Sequence, residues 1–325
     1  MMSWITRMLA LHTGLQESAI HRIMVTAPVR YKTFFIPKRN GELRQISQPA
    51  REVKLVQRAF SEIILKKLPV HPCATAYIDR KSILHNAQPH AGHGQIVKMD
   101  FKNFFPSIRR VDWIHYCQEN SIFDSQIDAD LSSSLLFQKN KNSGLMRLAI
   151  GAPSSPILSN ILMYNFDYLV SKAVLKDHVT YTRYADDMTF SAPRTGHLVN
   201  VVRIVKSVCR SLNYPRVEIN ENKTVYATAK YKRAVTGLIL TNDGRVTIGR
   251  DQKRLIRAMV HHAINTNLTK EALERLAGNL AYINSVEPAF METLTRKYGA
   301  ENIQRIRCIW RKDSPKNSTS KKSLT

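Results

Sequence analysis

Three strand-turn-strand runs and several long runs of helical periodicity predict an α+β fold for this 325-residue chain. The first run pairs Tyr31 to Pro37 with Glu42 to Ser47 through Lys38-Arg39-Asn40-Gly41, whose Asn-Gly step supplies the positive φ of a tight turn. A second pairs Val179 to Tyr184 with Met188 to Ser191 across Ala185-Asp186-Asp187, and a third spans Ala234 to Ile248 around Asn242-Asp243-Gly244. From about 251 to 311 the apolar spacing is helical.

Between these runs the elements follow in order. Val53 to Leu68 carries apolar residues at helical spacing with Lys and Arg on the other face, which predicts an amphipathic helix. Gln95 to Phe101 reads as a strand, with Ile96, Val97 and Met99 as buried neighbours of a carboxylate, Asp100, near its end. Ser155 to Val174 reads as one long helix, with Ser154 or Ser155 as its cap and Pro156 in the first turn, where a missing N–H costs nothing. Lys312 to Thr325 is polar and basic and reads as a disordered tail. There is no internal repeat.

Charge and composition narrow the function classes. Lys and Arg number 49 against 25 Asp and Glu, a net charge of +24, while 43% hydrophobic residues suffice for a sizeable core in two or three units. Residues 1–95 hold 14 basic and 5 acidic side chains and residues 250–325 hold 15 and 7, so both ends are basic. Such an excess favours a polyanionic partner, nucleic acid or an anionic surface, over mere solubility. The longest apolar stretch, Met163 to Val174, is broken by Asn165, Asp167 and Lys172, so no membrane span is predicted. No secretion signal is read at the start, and Cys73, Cys117, Cys209 and Cys308 lack CxxC spacing, which predicts reduced thiols in a cytoplasmic protein with neither disulfides nor zinc. GxxxxGK[ST], HExxH and GxSxG are absent, and adjacent His261 and His262 point about 100° apart on a helix, as surface residues do.

Asp186 and Asp187 at a tight turn between apolar strands repel each other, and a cation explains them better than a core does. If the strand ending in Asp100 lies beside them, three carboxylates converge into the oxygen-rich site that Mg2+ prefers. Two such ions about 4 Å apart activate an attacking hydroxyl and stabilise a leaving pyrophosphate.

Tyr184-Ala185-Asp186-Asp187 resembles the YxDD hairpin of the reverse transcriptases, the third core motif of their palm. Asp100-Phe101-Lys102-Asn103-Phe104-Phe105 is similar to the family's first palm motif. The resemblance implies metal binding by Asp100, Asp186, Asp187 and the backbone of Phe101, and a steric gate at Phe105 that fills the space of a ribonucleotide 2′-OH. Gly151-Ala152-Pro153-Ser154-Ser155-Pro156 resembles the QGxxxSP motif, whose small-residue turn, here Gly151 and Ala152, lets backbone approach the nucleotide; Ile150 stands where the family has Gln. Lys38 and Arg44 match the basic pair of the fingers that grips the triphosphate, and Lys223 falls near the lysine that can protonate pyrophosphate. Asn86-Ala87-Gln88-Pro89-His90 and Val235-Thr236-Gly237 match the NAxxH and VTG signatures of bacterial retron reverse transcriptases, which implies RNA contacts for Asn86, Ala87, His90, Val235, Thr236 and Gly237. Lys253, Arg254 and Arg257 give a basic helix face for RNA.

The resemblance implies a right-hand polymerase: N-terminal extension and fingers over 1–94, palm over 95–249 with inserted fingers helices at about 109–147, helical thumb over 250–311, and the tail over 312–325. It implies an RNA-directed DNA polymerase with two Mg2+ per site, replaceable by Mn2+. The enzyme binds a cognate noncoding RNA, extends a guanosine 2′-OH with dNTPs, and makes branched RNA-linked DNA (msDNA), in a bacterial cytoplasm. A host RNase H, an accessory effector protein and antiphage defence follow by the same resemblance. Two alternatives stay open: a group II intron-like or other mobile-element reverse transcriptase, and a non-catalytic RNA-binding scaffold. Length disfavours the first, since about 75 residues after the palm leave no room for a maturase or nuclease domain.

Overall fold

The computed structural model describes residues 3–38, 41–194, 196–266 and 268–309. The turn residues Arg39 and Asn40 and the tail 312–325 lie outside them. The chain forms two compact units, Met1–Tyr231 and Lys232–Thr325.

In the first unit, α1 (Trp4–Thr13) begins at Ser3, whose hydroxyl accepts from the Thr6 N–H, and stops at Gly14 in the left-handed region. It packs Ile5 and Leu9 with Ile20, Ile23 and Met24 of α2 (Glu17–Thr26). The first expected hairpin is β1 (Tyr31–Pro37) paired antiparallel with β2 (Leu43–Pro49), Phe34 opposite Ile46 and Ile36 opposite Arg44. The amphipathic run forms α3 (Arg51–Ile63), burying Val53, Val56 and Phe60, and tightens into a 3-10 turn at Leu65–Lys67. A short α4 (Ile83–Ala87) leads through a second 3-10 turn, Gln88–His90, into β3 (Gln95–Asp100).

After β3 come α5 (Phe104–Ser107), α6 (Arg110–Glu119), α7 (Gln126–Leu136) and the small hairpin β4 (Gln138–Lys139) with β5 (Met146–Arg147). The single helix expected over Ser155 to Val174 is two, α8 (Ser155–Leu162) and α9 (Tyr164–Leu175), separated at fully buried Met163 with φ −83° and ψ 0°. Neither serine caps it by a side-chain hydrogen bond: Ser154 is already helical at φ −84° and ψ −24°, a geometry that aims its hydroxyl away from the orphan N–H groups. The second expected hairpin is β6 (Thr180–Tyr184) and β7 (Asp187–Ala192), joined by only Ala185 and Asp186. After α10 (Val201–Ser211), β8 (Val225–Thr228) completes an antiparallel sheet of order β6-β7-β3-β8. Every residue of β7 after Asp187 is buried, so both faces of this strand are covered.

The second unit opens with β9 (Arg233–Val235), β10 (Leu238–Leu240) and β11 (Val246–Thr247) in the order β11-β10-β9. The third expected hairpin is therefore β10-β11, and β9 is a strand not read from the sequence. Thr236 and Gly237 form the β9-β10 turn, both with positive φ, 47° and 85°, the geometry of a type I′ turn. Four helices follow: α11 (Arg250–Asn265), α12 (Lys270–Val286), α13 (Pro288–Tyr298) and α14 (Ala300–Arg307). The division between the units precedes the 249/250 position read from the sequence, because the VTG strand pairs with β10 rather than with the β3 sheet.

One ion pair ties the helices of the first unit to its sheet. Arg183 on β6 and Asp167 on α9 are both fully buried, with Nη2 2.6 Å and Nε 2.8 Å from the two carboxylate oxygens. Removing one partner strands a charge in the core, whereas replacing both removes the desolvation cost along with the attraction. Arg183→Met should lower the urea-unfolding free energy by about 3–5 kcal/mol, and Arg183→Met with Asp167→Leu should lower it by less. A double variant less stable than the single one would contradict this.

Candidate active site

The β3-β7 register sets Asp100 directly opposite Asp187, and the two-residue turn after Tyr184 sets Asp186 beside them. Directly paired residues of antiparallel strands project to the same face, so the carboxylates share one end of the sheet. The chain continues past Asp100 with the Phe101 N–H donated to the Asp186 carbonyl at 3.3 Å. On the other side, residues 218–220 hold the same strand end, Asn220 N–H donating to the Asp100 carbonyl and Lys102 N–H to that of Glu218, each at 2.8 Å.

The turn is strained and braced. Ala185 takes φ 59°, costing about 1–2 kcal/mol for a residue with a Cβ, and the Arg183 Nη1 donates to its carbonyl at 2.9 Å. The same Nη1 donates to Asn160 Oδ1 at 3.1 Å, and Asn160 Nδ2 in turn donates to the Ala76 carbonyl at 2.8 Å. Residues 73–75 run parallel to β6, Arg183 N–H donating to the Cys73 carbonyl and Thr75 N–H to the Arg183 carbonyl, both at 2.9 Å. Beyond it the chain turns at Tyr77, exposed and at φ 60°, whose hydroxyl feels the Asp186 charge. Arg183, Asp167, Asn160 and Tyr77 were not singled out in the sequence; the available signal was a charged pair inside otherwise apolar runs.

The electrostatics are those of crowded carboxylates. Burial, then the charge of Asp100, raises the Asp186 pKa above its ordinary value. Burial, then Asp186 and Asp100, raises that of Asp187 to about 6. Lys223, in the short turn Glu221–Lys223, sets its Nζ 2.5 Å from Asp100 Oδ2, and this bond raises the ammonium pKa. Asp100 Oδ1 is buried without a hydrogen-bond partner. Three hard oxygen donors, one of them orphaned, fit a divalent cation. Elsewhere among the described residues His71, Cys73 and Asp167 bring ligand atoms within 4.8 Å of one another, but there Asp167 is committed to Arg183.

Phe104 is buried and stacked on Phe101, ring centroids 5.4 Å apart, while Phe105 stays partly exposed beside it. Gly151, at φ 119°, is required twice over, since a Cβ there would lie 3.0 Å from the Ser47 carbonyl oxygen. Ala152 is buried. Ile150 accepts from the Ser47 N–H through its carbonyl at 2.8 Å, joining this turn to β2. Arg44 and Lys38 share one face of the β1-β2 hairpin; the Arg44 charge acts on Asp186, whereas Lys38 is paired with Glu42 at 2.8 Å.

Other expected residues are placed differently. Asn86, Ala87 and His90 are buried against β6 and β7, with no side chain at the surface. Val235 is likewise buried within its own unit, while Thr236 is half-buried and Gly237 exposed at the turn. Lys253 is half-buried and paired with Glu287, and both it and Arg257 lie over the Phe290 ring, whereas Arg254 is exposed on the helix face.

A raised carboxyl pKa has a definite sign for stability. The folded state holds the Asp187 proton more tightly than the unfolded chain, so ionisation costs stability as pH rises from about 4 to about 6. In metal-free buffer Asp187→Asn should therefore melt above the parent at pH 8, with the difference vanishing by about pH 4. A difference independent of pH would contradict the crowding.

Comparison with known proteins agrees with this geometry. The family model of reverse transcriptase (RNA-dependent DNA polymerase) matches residues 36–241. The Retron Ec83 reverse transcriptase of Escherichia coli is 36% identical over 280 residues, 85% of this chain and 89% of that protein. The Retron Ec86 reverse transcriptase, also of Escherichia coli, is 29% identical over 91% of both chains. The Retron Mx162 reverse transcriptase of Myxococcus xanthus is 32% identical over 85% of this chain and 61% of that protein. With the family model spanning more than half of its length and such identity across nearly all of it, the chain belongs to the retron reverse transcriptases and is an RNA-directed DNA polymerase with the right-hand polymerase fold.

Proposed function

We propose that the protein copies part of a cognate structured noncoding RNA into branched RNA-linked msDNA, starting from an RNA 2′-OH. The observation that carries the catalytic half of this reading is the Asp100-Asp187 register with Asp186 at the adjoining turn. Asp100, Asp186 and Asp187 would hold two Mg2+ or Mn2+ ions, and the Phe101 backbone is the expected further donor. Bound there, the metal would lower the pKa of the attacking hydroxyl and offset charge on the leaving pyrophosphate.

The chain's own residues do the positioning. Arg44 and Lys38 would orient the triphosphate, with Lys38 exchanging Glu42 for phosphate. Phe105, partly exposed beside a buried and stacked Phe104, would exclude a 2′-OH, and the Gly151-Ala152 turn would let backbone approach the nucleotide. Lys223 has the reach to exchange Asp100 for a phosphate oxygen and return a proton to pyrophosphate. The basic helices of the second unit, Arg254 and Arg257 among them, and the exposed Thr236-Gly237 turn would read RNA by phosphate, 2′-OH and shape. Domain names follow the same reading: fingers for 1–94 and about 109–147, palm for the rest to 249, thumb for 250–311. Host RNase H, an accessory effector, antiphage defence and a cytoplasmic site belong to this proposal.

The test is Asp186→Asn with Asp187→Asn. DNA product should vanish from cells carrying the gene and its flanking DNA, and from primer extension in vitro, while RNA affinity persists; branched DNA that survives the double change would sink the reading in favour of a scaffold. Phe105→Ala should raise ribonucleotide incorporation relative to dNTP in the same assay. RNA affinity should fall with salt at a log–log slope steeper than about −3 if several phosphates are engaged.

A further inference from the structure

The Asn86-to-His90 stretch turns its side chains inward, with Gln88 and Pro89 alone on the exposed side. His90 spans both strands of the carboxylate hairpin: Nε2 is 2.8 Å from Thr182 Oγ1 on β6, and Nδ1 is 2.6 Å from Ser191 Oγ on β7. Ser191 Oγ is also 2.6 Å from His93 Nδ1, and the Thr182 hydroxyl donates to the Asn86 carbonyl at 3.5 Å. The Asn86 side chain extends the brace, its Oδ1 accepting from Thr75 Oγ1 at 2.8 Å, and that hydroxyl lies 3.1 Å from the Arg183 carbonyl.

One assignment uses every proton once. His93 Nδ1–H donates to Ser191, Ser191 O–H to His90 Nδ1, His90 Nε2–H to Thr182, and Thr182 O–H to the Asn86 carbonyl. It requires a neutral His90, and burial, seconded by His93, pushes that imidazole down to about 3. A neutral ring that donates on one side and accepts on the other is suited to cross-linking two strands. The signature's spacing has the same cause, since its three buried residues are the ones that the helical turn directs at the sheet.

We infer that His90, supported by Asn86, is a positioning residue for polymerisation: it locks β6 to β7 and thereby fixes Asp186 and Asp187 for the metal. This rests on the metal-holding reading of those aspartates. Residues that orient ligands from behind shift metal affinity or activity by about 10–100-fold when removed.

His90→Ala, His90→Gln, Ser191→Ala, Asp187→Asn and, as a matched core variant, Val205→Ala are compared well below their melting temperatures. Three quantities are read: Mn2+ affinity of the nucleic-acid-free protein from the electron-spin signal of free Mn2+, kcat and KM for dNTP, and RNA affinity. His90→Ala should weaken Mn2+ binding and lower kcat by about tenfold or more with RNA affinity unchanged. His90→Gln, whose amide both donates and accepts, should recover most of the loss, and Val205→Ala should lose stability alone. Normal Mn2+ affinity and kcat with weakened RNA binding would overturn the inference and make the motif an RNA contact. If His90→Ala does not fold, Ser191→Ala decides by the same readings. A silent Asp187→Asn would fail the underlying reading instead, which separates the two.

Discussion

An arginine and an aspartate wholly withdrawn from solvent, Arg183 and Asp167, join helix α9 to the strand that ends in the carboxylate turn. Burying such a pair costs on the order of several kcal/mol per ion, and Coulomb attraction offsets it only when geometry and further hydrogen bonds are good. Here they are. The guanidinium meets both carboxylate oxygens, the remaining Asp167 capacity accepts from Tyr181 Oη at 2.8 Å, and Nη1 is shared between Asn160 and Ala185. The pair thus converts helix packing into a fixed position for one backbone carbonyl in a strained turn. An apolar replacement could pack as well, but it would not hold Ala185 at φ 59°.

That rigidity is what the carboxylates require. Crowding at one strand end adds to burial in raising the proton affinity of Asp186 and Asp187, and a flexible turn would let them splay apart. Lys223 and Arg44 lessen the repulsion from the periphery, one by a direct ion pair and one at longer range. Neither fills the buried side of Asp100, whose Oδ1 keeps unspent acceptor capacity. The protein therefore accepts an unfavourable electrostatic arrangement and restrains it by neutral and paired groups behind the sheet. The two braces act at different heights, Arg183 on the turn at Ala185 and His90 between β6 and β7.

Much of this was legible locally. Alternating or β-branched runs around Asn-Gly and Ala-Asp-Asp steps located the two hairpins, and a strand ending in Asp100 located its partner, because turns and strand ends are short-range features. What was not legible depends on distant neighbours. Nothing between Leu162 and Tyr164 breaks helix propensity, yet Met163, fully buried, divides α8 from α9. Lys253 looked like part of a basic face until Glu287, 34 residues on, paired with it. Asn86 and His90 are polar residues in a polar stretch, and their burial is made favourable by distant hydroxyls, that of Thr75 for the Asn86 amide and those of Thr182 and Ser191 for the His90 ring.

The departure at Ile150 is instructive for the same reason. A Gln there would offer a side-chain hydrogen bond, but the contact that joins this turn to β2 is made by the position-150 carbonyl, which any residue supplies. The indispensable residue is the next one. Gly151 alone permits both φ 119° and the approach of the Ser47 carbonyl, and Ser47 is three residues along the same strand from Arg44. The GAPSSP turn therefore sets the height of the β1-β2 hairpin, and with it Arg44, above the carboxylates, independently of the side chain at 150. Substitution at 150 is tolerated by that linkage because it is made of main chain, whereas a Cβ at 151 would push the basic hairpin away from the carboxylates.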